Sequence, residues 1–310
     1  MTQPNHDLLR ARAAHSGPQP AITVVVPVLN GGERLVDLAR AILRQRVEAG
    51  PVEFLLADSG SDDGATERAA EVVGGRIFDV APGKFDHGLV RAALVREARA
   101  PLVALFTQDS IPQGTRMLEA LSAPFTSPEV AGAYARQVPR PGADPLVRAT
   151  LERWTPALDD PYVIRRLPPG GENLHPGERM RLARFDNVAS MVRRCIAVAL
   201  PFPASNFGED LSWGWAALKG GHGLAYVPQA VVQHSHEPAL RTVYSRNVAS
   251  HRQAAQEFGL QAVRGLPDGL LALLAGLPND LRDGGPLWAV RGLPRRAAAL
   301  LGQWRGARLP

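Results

Sequence analysis

The first 135 residues alternate between short apolar runs and stretches whose apolar positions lie three and four residues apart. An unbroken apolar run of about five residues is typical of a strand buried on both faces, and the spaced pattern is typical of a helix. Strands that alternate with helices in this way predict a parallel, doubly wound sheet. The predicted strands are Ile22–Val28, Val52–Ala57, Arg76–Val80 and Leu102–Phe106, and the predicted helices are Glu33–Arg46, Ala65–Val73 and Leu89–Arg99.

The pattern dissolves between Arg136 and Arg184, where Pro, Gly and Arg dominate and one short helix is predicted over Leu146–Trp154. An irregular stretch of this length in a compact domain is usually functional or disordered. Regular patterns then resume. They predict regular structure over Phe185–Val192, a helix over Leu211–Lys219, strands over Leu224–Val227 and Ala230–Gln233, and a helix over Pro238–Phe258.

These patterns predict a single α/β domain over residues 21–258. Its first half, 21–135, has the layout of a nucleotide-binding sheet, and 136–258 forms the second half. A flexible segment over 1–20 and a helical, basic extension over 259–310 complete the prediction. With 310 residues, of which 45% are hydrophobic and 21% charged, the composition is that of a soluble globular protein.

The single cysteine, Cys195, excludes an internal disulfide and a cysteine-based metal cluster, and suits the cytoplasm. Residues 1–20 are polar and lack the apolar core of an export signal. The longest apolar stretch, Gly269–Leu277, is too short to span a bilayer. We therefore expect a cytoplasmic protein.

The net charge of +5 lies in the C-terminal segment. Residues 286–310 contain five arginines and no acidic residue, which leaves 30 basic and 30 acidic residues in the rest of the chain. A nucleic-acid-binding protein would instead carry a basic face across its folded domain. Because Trp and Leu accompany the arginines, two interpretations stay open: a segment lying on an anionic membrane surface, or a helix packed on the domain with a solvated basic face.

Polar residues follow the predicted strands of the first half at their carboxyl ends, where open α/β sheets bind ligands. Asn30 follows the first strand, Asp58 the second, and Asp109 the strand over Leu102–Phe106. A carboxylate at such a position can hold a metal ion or a polar ligand. Arg91 precedes the Asp109 strand and is a candidate phosphate contact.

The second half offers complementary groups. Glu209 and Asp210 lie at a predicted helix start, where one carboxylate can act as a general base and the other can orient it. His234 and His236 follow a strand at alternate positions, so their imidazoles can face the same side. Carboxylate oxygens with an imidazole are a ligand set for Mg²⁺ or Mn²⁺.

The motifs together resemble a known family: the GT-A-fold glycosyltransferases of family 2, in their bacterial rhamnosyltransferase-like branch. The resemblance spans about residues 20–250 and implies a mixed, mainly parallel sheet flanked by helices. It is carried, in order, by Val24-Val-Val-Pro-Val-Leu-Asn30, Ala57-Asp-Ser-Gly-Ser-Asp-Asp-Gly64, Phe85-Asp-His-Gly88 with Arg91, Phe106-Thr-Gln-Asp-Ser-Ile-Pro112, Gly208-Glu-Asp210 and Tyr226-Val-Pro-Gln-Ala-Val-Val-Gln-His-Ser-His236.

The resemblance implies roles for individual residues. Asp210 would be the general base with Glu209 beside it, and Asp58 would contact the nucleotide base. Thr107 stands where the first acid of the family's D-x-D metal motif is usual, and Asp109 matches the last acid. The implied donor-binding residues are Pro27, Asn30, Asp58, Arg91, Thr107, Gln108 and Asp109, and the implied metal ligands are Asp109, His234 and His236.

The implied reaction is transfer of a sugar, with inversion, from a nucleotide-sugar to a hydroxyl, assisted by Mg²⁺ or Mn²⁺. A dTDP-linked sugar, rhamnose above all, or a UDP-linked sugar would be the donor, and a glycan or lipid-linked saccharide of a surface polysaccharide would be the acceptor. Acceptor contacts are predicted at Arg136, Gln137 and Trp154, with Trp213 able to stack on a sugar or to pack in the core.

Two other functions remain as alternatives. A sugar nucleotidyltransferase would place a Gly-rich phosphate loop after the first strand, and Asn30-Gly-Gly-Glu-Arg34 is a poor version of one. The dinucleotide fingerprint and the P-loop motif are both absent from the sequence. The second alternative is a non-catalytic module that binds a nucleotide or a carbohydrate.

Overall fold

The structure is a computed structural model and describes residues 8–12, 17–205 and 207–309. The described part contains a mixed sheet with helices on both faces. Its strands are β1 (Leu9–Ala11), β2 (Ile22–Val28), β3 (Val52–Asp58), β4 (Arg76–Val80), β5 (Leu102–Phe106), β6 (Ile111–Pro112), β7 (Val130–Val138), β8 (Val163–Arg165), β9 (Ala189–Arg193) and β10 (Gly223–Gln233).

The helices alternate with the strands in the first half of the chain and dominate its C-terminal part. They are α1 (Gly32–Leu43), α2 (Ala65–Val73), α3 (His87–Glu97), α4 (Met117–Ser122), α5 (Pro145–Trp154), α6 (Pro176–Ala183), α7 (Arg194–Ala199), α8 (Glu209–Lys219), α9 (Leu240–Phe258), α10 (Leu266–Ala275) and α11 (Leu277–Gly306).

The strand order is β1-β4-β3-β2-β5-β9-β7-β10-β6, with β8 also paired to β10. Strands β4, β3, β2 and β5 are parallel to one another. Strand β9 is antiparallel to both β5 and β7. The amino end of β9 therefore lies at the same edge of the sheet as the carboxyl ends of β5 and β7. Residues distant in sequence can meet at that edge.

Both faces of β2, β3 and β5 are buried, as their continuous apolar sequences predict. On one face, Val24 and Val26 of β2 pack with Leu35 and Leu38 of α1 in the main hydrophobic cluster. The alternate residues of β2 face the other side, and Val25 there is fully buried. This burial fixes the register, since a one-residue slip would exchange the two faces.

The predicted elements of residues 22–106 are confirmed, with their boundaries within three residues. The second half differs more. The two strands predicted around Pro228 are one strand, β10, because a proline removes only its own N–H donor and keeps an extended backbone. Strand β7 was not predicted because Ala and Gly have weak strand propensity. Its Gly132 packs against the rings of Phe185 and Trp213, which a Cβ would meet at 2.7 and 2.8 Å.

The N-terminal segment also departs from prediction. Leu9–Ala11, in the stretch predicted to be flexible, is an edge strand that pairs antiparallel with β4. The buried Leu8 next to it supplies the apolar anchor. Residues 1–7 and 13–16 of the predicted flexible segment lie outside the described residues.

The chain divides into two compact units. The first contains the sheet and comprises residues 1–137, 157–168 and 183–234, and the second, helical unit comprises 138–156, 169–182 and 235–310. The domain boundaries predicted from the sequence stay a prediction.

In the second unit, the C-terminal half of α11 packs closely on α9. A Cβ at Gly302 would lie 2.6 Å from the Tyr244 carbonyl oxygen, and one at Gly306 would lie 2.3 Å from that of Val248. Gly285 interrupts α11 with a positive φ of 76°. No helix in the described ranges is both long and apolar enough to cross a bilayer.

Candidate active site

Asp109 lies in the turn that follows β5, close to the end of β10. Its Oδ1 is 3.6 Å from Nε2 of His234, and both side chains are largely shielded from solvent. The two residues come together because β5 and β10 reach the same edge of the sheet. A carboxylate oxygen beside an imidazole nitrogen is a donor set that suits a hard divalent cation such as Mn²⁺. His236 follows two residues later, in the second compact unit.

Behind His234 lies a chain of hydrogen bonds. The ring atom Nδ1 is 3.0 Å from Oε1 of Gln137. The Gln137 amide donates through Nε2 to Oδ2 of Asp186 at 2.6 Å. The other oxygen of Asp186 accepts from the backbone N–H of Val188 at 3.0 Å. The amide of Gln137, predicted as an acceptor contact, is thus engaged inside the protein.

The loops after β2, β3 and β5 are tied together by side-chain to backbone hydrogen bonds. The Gln108 amide accepts from the Leu29 N–H at 2.9 Å and donates to the Leu29 carbonyl at 3.0 Å. The Oδ1 of Asn30, a residue with a positive φ of 46°, accepts from the Asp62 N–H at 3.0 Å. Gln108 and Asn30 therefore brace the loop that follows Pro27, which is itself buried in β2.

Asp58, at the end of β3, is buried and held from two sides. Its Oδ1 accepts from the backbone N–H of Ser61 at 3.0 Å and from the Ser61 hydroxyl at 2.6 Å. Its Oδ2 forms an ion pair of 2.9 Å with Arg12, which follows the edge strand β1. Arg12 also pairs with Asp79 at 2.7 Å. No local sequence pattern connects Arg12 with this loop, because the contact depends on the pairing of β1 with β4.

Thr107 occupies the position where the family's first acid is usual. Its hydroxyl oxygen is buried and has no hydrogen-bond partner among the described residues. A buried hydroxyl without a partner is uncommon and costs free energy in the absence of a ligand. The hydroxyl of Thr107 is therefore a candidate ligand contact two residues before Asp109.

Glu209 and Arg91 form a buried ion pair of 2.9 Å, with 5% and 4% of their surfaces exposed. The same Glu209 oxygen accepts from the side-chain amide of Asn187 at 3.1 Å. Because both charges are buried, removal of either side chain would leave the other charge without compensation. The predicted contact of Arg91 with a phosphate stays a prediction.

The motif around His87 joins helix α3 to the loop before α8. Asp86 caps α3 by accepting from the Leu89 N–H at 2.9 Å, and it also accepts from the Ser205 N–H at 3.0 Å. A Cβ at Gly88 would lie 1.7 Å from the Pro203 carbonyl oxygen, so only glycine allows this approach. Burial and the nearby Arg91 charge lower the pKa of His87.

Asp210, the predicted general base, begins α8 next to Glu209. It accepts from the backbone N–H groups of Leu211 at 2.8 Å and Asn187 at 3.2 Å. Burial, together with the negative charges of Glu209 and Asp186, raises its pKa to about 8 despite these two donors. A carboxylate with a pKa near the working pH has the property that general base catalysis requires.

The remaining acceptor candidates differ in their surroundings. Trp213 is fully buried, stacks on Phe202 with ring centroids 5.1 Å apart, and donates to the Leu200 carbonyl at 2.8 Å. Its ring therefore packs in the core and has no face to offer a sugar, which corrects the prediction of an acceptor contact. Arg136 lies on β7 in the first unit, and Trp154, which is 39% exposed, ends α5 in the second.

Asp186 and Asn187 were missed by the sequence prediction. They lie just before β9, and their side chains meet Gln137 and Glu209. One weak signal was present in the sequence: two adjacent polar residues directly before the run Val188–Val192, which is apolar except for Ser190. Nothing in that local pattern indicates which distant side chains they contact.

The chain matches the sequence model of a known protein family. The sequence model of the family described as "Glycosyl transferase family 2" matches residues 23–189. The chain belongs to this family. Membership decides between the predicted alternatives in favour of a glycosyltransferase.

Two curated relatives are similar to most of the chain. The O-antigen chain rhamnosyltransferase RfbN of Salmonella typhimurium is 25% identical over 227 residues, which cover 73% of this chain and 69% of the relative. The O-antigen chain rhamnosyltransferase WbaN of Salmonella anatum is 27% identical over 237 residues, covering 73% and 70%. The chain is thus similar to rhamnosyltransferases of O-antigen synthesis.

Solved glycosyltransferases share the fold. The mannosyltransferase PcManGT of Pyrobaculum calidifontis, solved with GDP-Man and Mn²⁺, matches with a TM-score of 0.59 and 16% identity, covering 93% of this chain and 88% of that one. Glucosyl-3-phosphoglycerate synthase of Mycobacterium tuberculosis, solved with UDP, matches with a TM-score of 0.52 and 19% identity, covering 78% and 81%. These likenesses confirm the predicted GT-A fold.

Proposed function

We propose that this glycosyltransferase moves a sugar, with inversion, from a nucleoside diphosphate sugar to a hydroxyl of a growing surface polysaccharide. One observation carries the proposal: Asp186 connects the two chemical groups of the site. Its carboxylate anchors the hydrogen-bond chain that ends at His234, whose Nε2 lies 3.6 Å from Asp109, and its negative charge contributes to the raised pKa of Asp210. The candidate base and the candidate cation site are therefore both linked to the carboxylate of Asp186.

In the proposed reaction, Asp210 accepts the proton of the acceptor hydroxyl as the oxygen attacks the anomeric carbon. The new carbon–oxygen bond forms on the face opposite the bond to the diphosphate. The bond between the anomeric carbon and the diphosphate breaks, and its electron pair leaves with the nucleoside diphosphate. Glu209, neutralised by Arg91, fixes the start of α8 and thereby the position of Asp210.

Asp109 and His234 are the proposed ligands of Mg²⁺ or Mn²⁺, with His236 as a further candidate from its place two residues beyond His234. When bound, such an ion neutralises the charge that develops on the leaving diphosphate. Two solved proteins with this fold are complexes with Mn²⁺ and a nucleotide or nucleotide-sugar.

For the donor, we propose that Asp58 contacts the nucleotide base, with Pro27, Asn30 and Gln108 in the surrounding loops. The buried hydroxyl of Thr107 supports a contact to the donor, which would satisfy it. A dTDP-linked rhamnose is the donor that the similarity to rhamnosyltransferases favours, with a UDP-linked sugar as the alternative. Arg91 is the proposed positive group behind the diphosphate.

The acceptor is proposed to be a glycan or a lipid-linked saccharide, contacted by Arg136 and Trp154. O-antigen assembly by the two curated relatives supports a saccharide acceptor.

We also propose a cytoplasmic protein that binds the membrane surface through its C-terminal helices. Leu266, Leu270, Leu271 and Leu274 of α10 are each more than half exposed. Of the five arginines in residues 286–310, Arg295 pairs with Asp144 and Arg296 with Asp280. The other three, at positions 291, 305 and 308, form no ion pair within the described ranges and remain to attract anionic lipid.

Vesicle flotation tests the membrane contact. The wild type should bind vesicles that contain anionic lipid, and a Leu271→Ser/Leu274→Ser variant should bind more weakly. Leu158→Ser, at an exposed site in the first unit, is the control. Equal binding by both variants would contradict the contact.

A donor screen tests the activity itself. Purified protein is incubated with dTDP-, UDP- and GDP-sugars and a saccharide acceptor, and release of nucleoside diphosphate is measured. One donor should support release that EDTA abolishes and Mn²⁺ restores. Release that is indifferent to chelation would contradict the metal assignment, and no release from any donor would contradict sugar transfer.

A further inference from the structure

The hydrogen-bond chain behind His234 has a fixed direction. An ionised carboxylate such as that of Asp186 can only accept hydrogen bonds. Gln137 must therefore turn its amide nitrogen, at 2.6 Å, toward Asp186, and this leaves its carbonyl oxygen facing His234. The carbonyl oxygen cannot donate, so the proton of the Gln137–His234 hydrogen bond lies on Nδ1 of the ring.

This direction determines which atom of the neutral ring carries the lone pair. With the proton on Nδ1, the lone pair is on Nε2, and Nε2 is the atom that lies 3.6 Å from Asp109. A metal-binding histidine commonly donates its other ring N–H to a carboxylate or carbonyl group, which sets the tautomer and the ring orientation. The geometry around His234 has the same pattern.

We propose that Gln137 is a positioning residue which, anchored by Asp186, holds His234 in the Nδ1-protonated tautomer and so presents Nε2 to a divalent cation at Asp109. This inference rests on the metal site of the proposed function and goes beyond it, since it assigns Gln137 and Asp186 a task that sequence motifs do not indicate.

Burial of Gln137 and His234 further restricts the orientation of the imidazole ring. Gln137 is 6% exposed, and the His234 side chain is 13% exposed, so little water can replace either hydrogen bond. Asp186 is itself anchored through its second oxygen by the Val188 N–H. The neutral amide of Gln137 hydrogen-bonds to both Asp186 and His234, and the charge of Asp186 also contributes to the raised pKa of Asp210.

The first experiment reads the tautomer without metal or substrate. Nitrogen-15 NMR of the metal-free protein, followed across pH until the ring is neutral, identifies the protonated nitrogen of His234. The wild type should show the proton on Nδ1. Gln137→Leu, which removes the acceptor, should shift the population toward Nε2 protonation. A wild-type ring protonated on Nε2 would overturn the inference whatever the enzyme's activity.

The second experiment measures Mn²⁺ affinity by calorimetry in the presence of a nucleoside diphosphate. Loss of such an outer partner typically weakens metal binding about 10- to 100-fold, and we expect this for Gln137→Leu. Gln229→Leu makes the same change at an exposed position of β10 and should bind as the wild type does. Equal affinity in Gln137→Leu and Gln229→Leu would overturn the inference.

Asp186→Asn provides a second test that does not depend on correct folding of Gln137→Leu. It keeps the side-chain shape but allows the Gln137 amide to turn over, so a mixture of tautomers and an intermediate affinity are expected. An unchanged tautomer in Asp186→Asn would contradict the anchoring role of Asp186. A wild type with the Nδ1 proton that binds no Mn²⁺ would instead contradict the metal site of the proposed function.

Discussion

The loops after the parallel strands and the segments around β7, β9 and α8 use polar side chains in different ways. In the parallel half, side chains mainly hold backbone groups: Gln108 brackets Leu29, and Asp63 accepts from the N–H groups of Gly32 and Ala65. Those two N–H groups lower the pKa of Asp63. These hydrogen bonds give the loops a fixed shape.

In the antiparallel half, side chains mainly hold one another. Glu209 is bound by Asn187 and by the Arg91 guanidinium, and Asp186 holds Gln137. Several of these groups are buried charges, and burial beside two other carboxylates raises the pKa of Asp210 to about 8. From this difference we propose a division of labour, in which the parallel half shapes a binding surface and the antiparallel half sets the protonation state of Asp210.

The largest expected effect is on the antiparallel side. Asp210→Asn removes the proposed base while keeping the side-chain shape, and kcat should fall by about 10²- to 10⁴-fold, the usual contribution of a general base. Steady-state kinetics with the active donor measures it. Asp159→Asn, in an exposed loop, is the control. Full activity of Asp210→Asn would refute the assignment.

Breaking the buried ion pair should cost stability. Glu209→Gln leaves the Arg91 charge buried without compensation, and the free energy of unfolding should fall by about 3–5 kcal/mol. Denaturant unfolding compares it with Glu71→Gln at the exposed surface of α2. An equal stability of the two variants would mean that the pair at 2.9 Å contributes little.

A smaller effect is expected in the parallel half. Gln108→Leu removes both hydrogen bonds to Leu29, and the donor KM should rise about tenfold, equivalent to about 1.4 kcal/mol, with kcat nearly unchanged. Gln113→Leu makes the same change at an exposed site. A fall in the kcat of Gln108→Leu without a change in its donor KM would contradict the proposed division of labour.

The smallest effect is a shift of the pH profile. Asp210 acts as a base only when ionised, so kcat/KM should rise with pH through about 8. Asp186→Asn removes a negative neighbour, which lowers the pKa of Asp210 and moves the rising limb to lower pH. Gln137→Leu keeps the Asp186 charge and should leave the limb in place. A limb that moves upward in Asp186→Asn would contradict the electrostatic cause.

The same comparison explains what could be predicted from sequence. Strands β2 to β5 have continuous local patterns, and the rule that ligands bind at the carboxyl ends of strands led directly to Asp58 and Asp109. Both residues do lie at or just after strand ends. Local signals were sufficient there because parallel strands with intervening helices place each loop at the same edge.

The antiparallel half could not be predicted in this way. The contacts of Asp186 with Gln137 and of Arg91 with Glu209 depend on how β9, β7 and α8 are brought together from distant parts of the chain. Trp213 shows the same limit, since an aromatic ring that could stack on a sugar and one that fills the core have the same local sequence. Tertiary pairing, which no local pattern encodes, decides these cases.

Nucleoside diphosphate binding in the presence and absence of Mn²⁺ tests the division of labour most directly. Calorimetry on the wild type, Asp109→Ala and Asp210→Asn gives the dissociation constant in each condition. Asp210→Asn should bind with the Mn²⁺-dependent affinity of the wild type although its kcat is strongly reduced, and Asp109→Ala should lose the Mn²⁺ dependence even with excess metal. Mn²⁺-dependent binding that survives in Asp109→Ala and is lost in Asp210→Asn would contradict the proposed division of labour.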